Sequence, residues 1–431
     1  MKIGIIGSGG SGMCAAWLLD KDHDITLFEK RNYLGGHAHS VKVELNGKTR
    51  MIDDGVAWFS PKIYPYFNTY LDMASIEYDW LPLSLTYYHK PNNHVNCMPP
   101  VTGRNIFKML TRKNILAELL ALNAAVNASS KLVGQHTTNE DFKSFIKRLP
   151  VSEKVKIDFL KPLLEGLWGA PFDQTNGFSI YPLMKYIVYH KPSGLEYYKW
   201  KIMRGGTEKY IDTIHKMLNR TATVLNTEVM KIETDAEQNK VKVFTSTGTY
   251  LFDKLIITGG ARDASIILQQ SADFKKAYDV LTQFNYYQAT LATHSDNSFM
   301  PPDKKDWSIV NVTFNGKSSF TTIWHGSKTG EDIFCSYVDP AEKMPENLHH
   351  VSQWWLPCET PRFFELQAEL ATIQGMSNVF FGGDYTHDIG SHEDAIISAV
   401  KAVEKIDPSS ERLIQLKKNA ANLKAGSNPM K

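Results

Sequence analysis

The chain has 431 residues, 42% apolar and 22% charged, with a net charge of +2. That length suits two domains rather than one core, in a protein of ordinary globular composition. The balanced charge argues against nucleic acid as a partner, and no run reaches the roughly 18 apolar residues of a membrane span.

The four cysteines (Cys14, Cys97, Cys335, Cys358) lack the spacing of a metal site or a disulfide framework. A reducing, cytoplasmic setting is therefore expected. No leader is expected either, because the first strand starts at Lys2.

In chain order, Lys2 to Ile6 reads as a buried parallel strand, followed by Gly7-Ser8-Gly9-Gly10-Ser11-Gly12 and an apolar helix from Met13 to Leu19. This is G-x-G-x-x-G between a strand and a helix, the context that a dinucleotide fingerprint requires. Gly7 permits the tight turn, Gly9 lets the backbone approach a pyrophosphate, and Gly12 lets helix and strand pack closely. Gly10 and Ser11 lie at the helix N-terminus, whose free N–H groups face the phosphates. A second strand, Asp24 to Phe28, ends at Glu29. That acid stands about 20 residues past the first glycine, where a carboxylate can accept ribose hydroxyls.

Lys30 follows directly, and Gly35-Gly36-His37 brings a second bare stretch of backbone to the same ligand. A strand is expected over Val41–Leu45. Ile106 to Val133 reads as one long Leu/Ala-rich run with Lys108, Arg112, Lys113 and Lys131. It suits a packing helix, or a basic amphipathic surface resting on a membrane.

Met203-Arg204-Gly205-Gly206-Thr207 opens a helix expected over Glu208–Leu218. Strands are expected over Val224–Thr227 and Val229–Ile232, a hairpin over Val241–Thr245 and Thr249–Phe252, and a buried strand over Lys254–Thr258. Near the end, Asn378 to Phe381 reads as a strand closed by Gly382-Gly383-Asp384 and Tyr385. His392-Glu393-Asp394 then opens a helix through Ala395. Residues from Ser409 onward suggest a surface helix with a frayed end.

Together these motifs resemble a bacterial branch of the FAD-dependent amine oxidase superfamily. The likeness rests on the opening fingerprint, Leu34-Gly35-Gly36-His37-Ala38-His39, Asp54-Gly55, Leu167-Trp168, Arg204-Gly205-Gly206-Thr207 and His392-Glu393-Asp394. It implies an α/β fold: a Rossmann-like FAD-binding domain interleaved with an α+β substrate domain. The cofactor domain would comprise 1–58, 203–265 and 375–408, the substrate domain 59–202 and 266–374, and the tail 409–431.

By the same resemblance Asp384 and Gly383 meet the ribityl chain, and Val229 reaches the adenine through its main chain. The helix starting near Glu393 or Asp394, with Ala395, faces the flavin pyrimidine, where an N-terminus stabilises negative charge. His37 stands where many amine oxidases have arginine. No cysteine stands at an obvious linking position, so FAD is expected to be non-covalent. His37, His392 and Tyr385 are the candidate catalytic side chains.

The expected activity is hydride transfer from a C–N or C–C bond of an organic substrate to the flavin. Two alternatives are an isomerase or desaturase-type modifier of unsaturated fatty acyl chains and a non-catalytic dinucleotide-binding module. A small-molecule or lipid-like substrate is implied, with peripheral membrane contact as a further option. The oligomeric state is open.

Overall fold

The computed structural model describes the chain apart from residues 56, 101, 111–114, 171–173, 191–197 and 427–431. Five parallel strands form its first sheet, in the order Thr221–Val224, Asp24–Phe28, Lys2–Ile6, Lys254–Ile257 and Val379–Phe381. Start, middle and end of the chain thus meet in one sheet. Strand alternation divides the side chains between two cores. Ile256 and Phe380 face the helices Gly10–Leu19 and His392–Ile406, while Leu255, Ile257, Val379 and Phe381 face Ala261–Leu268 and Pro361–Ala371.

All ten residues of the Gly10–Leu19 helix are buried. That explains its lack of a polar stripe, since a helix covered on every side is apolar all round. Gly12 permits its seat on the sheet: a Cβ there would lie 1.9 Å from the Gly7 carbonyl oxygen.

Three expectations change. The strand expected over Val224–Thr227 runs instead over Thr221–Val224, and Asn226, at φ 51°, turns the chain away. The long run from Ile106 divides into helices Gly103–Leu110 and Ile115–Gly134; Arg112 and Lys113 lie outside the described residues. The terminal helix, Glu411–Gly426, is no loose surface piece. It buries Leu413, Leu416 and Ala420, with Leu413 and Leu416 in the first core, and Ser410 Oγ and the Arg412 guanidinium donate to the carbonyls of Leu18 and Trp17. The Pro65–Met73 helix packs in that core as well.

A seven-stranded sheet forms the second body, in the order Leu348–Pro357, Tyr286–His294, Phe334–Val338, Ser319–Trp324, Val310–Phe314, Leu85–His89 and His94–Met98. Helices Ile115–Gly134, Phe142–Arg148, Lys161–Trp168 and Tyr181–Tyr189 cover it through a third core around Tyr87, Phe159 and Leu164. Among the described residues no helix is long and apolar enough to cross a membrane.

Candidate active site

The glycine turn and the glycine pair meet. Gly9 and Gly35 form a parallel bridge, and the Gly35 N–H donates to the Ser8 carbonyl at 3.0 Å. Gly35 and Gly36 have φ of 117° and 58°, a region that favours glycine. Gly9 is different. Its φ is −66°, and a Cβ there would meet only the Gly35 oxygen, at 3.8 Å. Neither strain nor packing calls for a glycine at that position, so its bare Cα leaves an open cradle. The helix behind it has no side-chain cap and no acid in its first turn. Its N–H groups and positive dipole end therefore suit a phosphate.

Glu29 is buried at the rim of this cradle. One carboxylate oxygen accepts the Ser8 N–H (3.1 Å) and hydroxyl (2.6 Å), and the other accepts the Arg31 N–H (2.9 Å). The Glu29 carbonyl accepts the Thr227 N–H at 2.9 Å, which brings the strand starting at Val229 beside the acid. Lys30 pairs with Asp263 at 2.9 Å on the surface. Arg31, overlooked in the sequence, lies 5.3 Å over the Trp354 ring and 5.4 Å over Tyr33. A cation beside the cradle suits an anionic ligand.

The late helix begins at His392, with Ser391 as N-cap in a reciprocal capping box with Asp394. The Asp394 carboxylate is thus engaged in holding the helix start. Glu393 reaches another element, accepting the N–H groups of Tyr66 (2.9 Å) and Phe67 (2.7 Å) at the start of Pro65–Met73. Burial lifts its carboxyl to about 8, while those two bonds pull it back. Ala395, two positions after Glu393, is buried. The side chains of Glu393 and Asp394 are therefore fixed by the protein, and what the helix offers a ligand is its N-terminus.

Ser11 likewise turns inward. Its hydroxyl bonds that of Ser398 at 2.9 Å and accepts the Gly383 N–H at 3.2 Å, tying the first helix to the last. Gly383, at φ 108°, makes that bend possible. Asp384 follows, one oxygen accepting the Tyr385 N–H at 2.8 Å, and burial raises its carboxyl to about 6.

Of the three candidate catalytic side chains, His37 and His392 are near enough to repel each other's protonation, and Tyr385 packs elsewhere. His392 Nε2 lies 2.7 Å from the Tyr210 hydroxyl, its ring 4.5 Å from Phe67, and a Cβ on Gly10 would strike it at 2.5 Å. His37 packs 4.8 Å from Trp354. Burial lowers both imidazoles to about 4, so both are neutral near pH 7. Tyr385 belongs to the other core, fully buried and edge-on to Phe284 at 5.2 Å. It packs in the second core, whereas the ring neighbours of His392, Phe67 and Tyr210, lie in or against the first.

Glu359 stands in no motif or periodic run that would single it out in the chain. The Trp168 indole favours the ionised form of its carboxyl, and an added Cβ on Gly390, just before the late helix, would lie 3.4 Å from Oε1. Burial, reinforced by Asp394, Asp384 and Asp388, raises it to about 8. Its surroundings are aromatic: Trp168 packs edge-on to Phe142 and Phe178, and the hydroxyls of Tyr64 and Tyr186 meet at 2.6 Å nearer the Ser391 cap. Lys185 is paired with Asp388. The neighbouring Cys358 is kept a thiol by burial, which pushes it up to about 11.

The fold has known counterparts. A fatty acid isomerase from P. acnes described as CLA-producing aligns over 94% of this chain and 98% of its own (TM-score 0.68, 14% identity). Cyclohexylamine oxidase from Brevibacterium oxydans aligns over 94% and 99% (TM-score 0.67, 14% identity), and a reduced UDP-galactopyranose mutase over 99% of both (TM-score 0.66, 15% identity). At these identities the likeness is one of fold. An uncharacterised protein of Methanocaldococcus jannaschii is 41% identical over 59 residues, a match that spans 15% of that protein's length. The model of the flavin-containing amine oxidoreductases matches residues 11–298, about two thirds of the chain. The chain belongs to the flavin-containing amine oxidoreductase family.

Proposed function

We propose that the protein is an FAD-dependent oxidoreductase that removes a hydride from the carbon beside an amine nitrogen. FAD supplies the hydride acceptor when bound. The Gly9–Gly35 cradle, the uncapped first helix and Glu29 are the residues that would hold its pyrophosphate and ribose, with Asp384 toward the ribityl chain and the late helix N-terminus toward the pyrimidine. We assign His37 and His392 to positioning, because a half-buried neutral imidazole with a fixed packing partner is a poor proton shuttle at neutral pH.

The observation that carries the amine reading is Glu359. It is a carboxyl beside the helix start, next to Trp168 and with three more acids nearby. A protonated amine entering there would draw Glu359 into its ionised form, and the aromatic rings would flank the cation. Anaerobic addition of primary and secondary amines to the purified protein should bleach the flavin bands. Failure of every amine, with bleaching by another donor, would overturn the reading. Heat denaturation should release FAD into the supernatant. Flavin kept by the precipitate would instead point to a covalent link, with Cys358 the first residue to examine.

A second reading, isomerisation of unsaturated acyl chains, is favoured by the apolar outer face of Gly103–Leu110 and Ile115–Gly134. It predicts product formation from an unsaturated fatty acid without oxygen uptake and without steady bleaching.

A further inference from the structure

A cavity of about 500 Å³ opens at the end of the first helix that lies away from the cradle. Trp17, Met73, Met217, Asn219, Arg412 and Gln415 line it. They come from the last turn of Gly10–Leu19, the end of Pro65–Met73, the turn after the Thr207–Lys216 helix and the start of Glu411–Gly426. The volume falls within that of small-molecule sites, about 300–1,000 Å³. The cradle stands at the N-terminus of the ten-residue helix Gly10–Leu19, so about 15 Å of helix separates the two. Neither the cradle residues nor those around Glu359 line this cavity.

Arg412 is the charged group of the lining, and its guanidinium is held in place. Nη1 donates to the Trp17 carbonyl at 2.5 Å, and Cζ lies 4.8 Å from the centre of the Trp17 ring. Tyr70 packs edge-on against that ring at 5.1 Å. One guanidinium N–H is thereby used, and the others remain available. Arg50, Arg104, Arg148, Arg204, Arg220 and Arg362 each pair with a carboxylate. Arg412 pairs with none among the described residues. Arg31, beside the cradle, and Arg262, over Trp355, share that condition. Two acids at this end of the body are already engaged. Glu411 pairs with Lys21, and the buried Asp20 accepts the N–H groups of Asn219 and Arg220 at 2.7 and 2.8 Å. Capping the first helix explains one bond of Arg412. It does not explain the remaining donors, nor the two thioethers and two amides that complete the lining.

We propose that this cavity binds a small aryl carboxylate, with Arg412 at the carboxylate and Met73 and Met217 around the ring. A guanidinium fork matches a carboxylate through two parallel hydrogen bonds. Thioether sulfurs pack favourably at ring edges and adapt to ligand shape. The amides of Asn219 and Gln415 add polar groups at the rim. A phosphate dianion fits less well, because Arg412 alone supplies positive charge to the lining. The proposal does not depend on which bond the enzyme oxidises.

The test is isothermal titration calorimetry of the flavin-loaded full chain with phenylacetate and with its uncharged isostere, phenylacetamide. Phenylacetate should bind at one site per chain. The amide should bind at least about tenfold more weakly, since hydrogen bonds to charged groups are the stronger ones. Arg412→Gln should weaken phenylacetate at least about tenfold and leave the amide unchanged. Because Arg412 also caps the first helix, Asn219→Trp gives an independent reading. It fills the rim, leaves Arg412 in place and keeps the backbone N–H that Asp20 accepts. Its melting temperature and flavin spectrum should match wild type while phenylacetate binding falls at least about tenfold. The proposal is overturned if wild type shows no saturable binding, or binds acid and amide equally. It is also overturned if either folded variant keeps wild-type affinity, which would place the probe elsewhere in the molecule.

Discussion

The carboxylate of Glu393 accepts the backbone N–H of Phe67 at 2.7 Å and that of Tyr66 at 2.9 Å, so one residue of the late helix caps a helix more than three hundred residues earlier in the chain. Both N–H groups belong to the first turn of Pro65–Met73, which has no side-chain cap of its own. Loss of the acceptor would strand two N–H groups close to the core. Glu393→Ala is expected to lower stability by about 2–4 kcal/mol, read by thermal unfolding, while the residual folded protein retains FAD. Unchanged melting with weakened FAD binding would return Glu393 to the cofactor.

The glycines offer a paired contrast. Gly9→Ala places its Cβ where the nearest atom is 3.8 Å away, so the apoprotein should fold and melt as wild type. The methyl group would stand where the pyrophosphate must approach, and FAD retention on a desalting column should fall at least about tenfold. Gly12→Ala drives its Cβ to 1.9 Å from the Gly7 oxygen and should fail to yield folded protein. Full FAD retention by Gly9→Ala would sink the cradle assignment.

Glu29 connects fold and cofactor in another way. It already accepts three hydrogen bonds within the turn, so Glu29→Ala loosens the Ser8 and Arg31 backbone as well as removing a ribose acceptor. FAD should bind about 10- to 100-fold more weakly, the effect of losing about 1.5–3 kcal/mol of charged hydrogen bonding. Flavin fluorescence titration measures it. Glu29→Gln, which keeps the shape, should recover part of the loss.

How much of this could be read from the chain depends on the range of the determining contacts. The strands Lys2–Ile6 and Asp24–Phe28, the glycine turn and Glu29 are local patterns, and each stands where periodicity put it. Side-chain direction is another matter. Ser11 sits within the fingerprint, yet its hydroxyl is turned inward by Ser398, 387 residues away. Tyr385 adjoins Asp384 in sequence but packs in the other core, because the residue after a sheet edge follows the packing and not its neighbour's role. The Glu411–Gly426 helix shows its leucine stripe clearly, but nothing local says that Trp17 and Leu18 receive it. Glu359 lies in a short loop without motif or period, and its meaning arises only when Trp168 and Gly390 close around it.

His392 and His37 shape the acid limb of stability. Both imidazoles have folded-state values near 4, below the ordinary 6.5, so the folded form resists their protonation. As pH falls below about 6.5 the unfolded chain takes up protons that the folded chain refuses, and stability declines until about pH 4. His392→Ala should be less stable at pH 7, through the lost Tyr210 bond and the space left beside Gly10. It should also show a shallower decline toward acid in melting curves across pH. An unaltered slope would mean that His392 titrates normally.

Glu359 should appear in the pH dependence of turnover. In the free enzyme its carboxyl is raised to about 8, and binding a protonated amine favours the ionised form. The kcat/KM for an amine reports free-enzyme ionisations, so it should climb as pH rises through about 8 and fall only as the amine loses its own proton, near 10.4 for a lysine-like amine. Glu359→Gln keeps the shape but carries no charge at any pH. The rising limb should disappear, KM should increase about 10- to 100-fold, and kcat should change less, because the lost contact serves the bound cation and not the transferred hydrogen. The two histidines, neutral throughout this range, contribute no limb of their own. A variant that keeps the rising limb would assign it elsewhere. A variant that loses kcat at unchanged KM would place Glu359 at the reacting carbon instead of the amine.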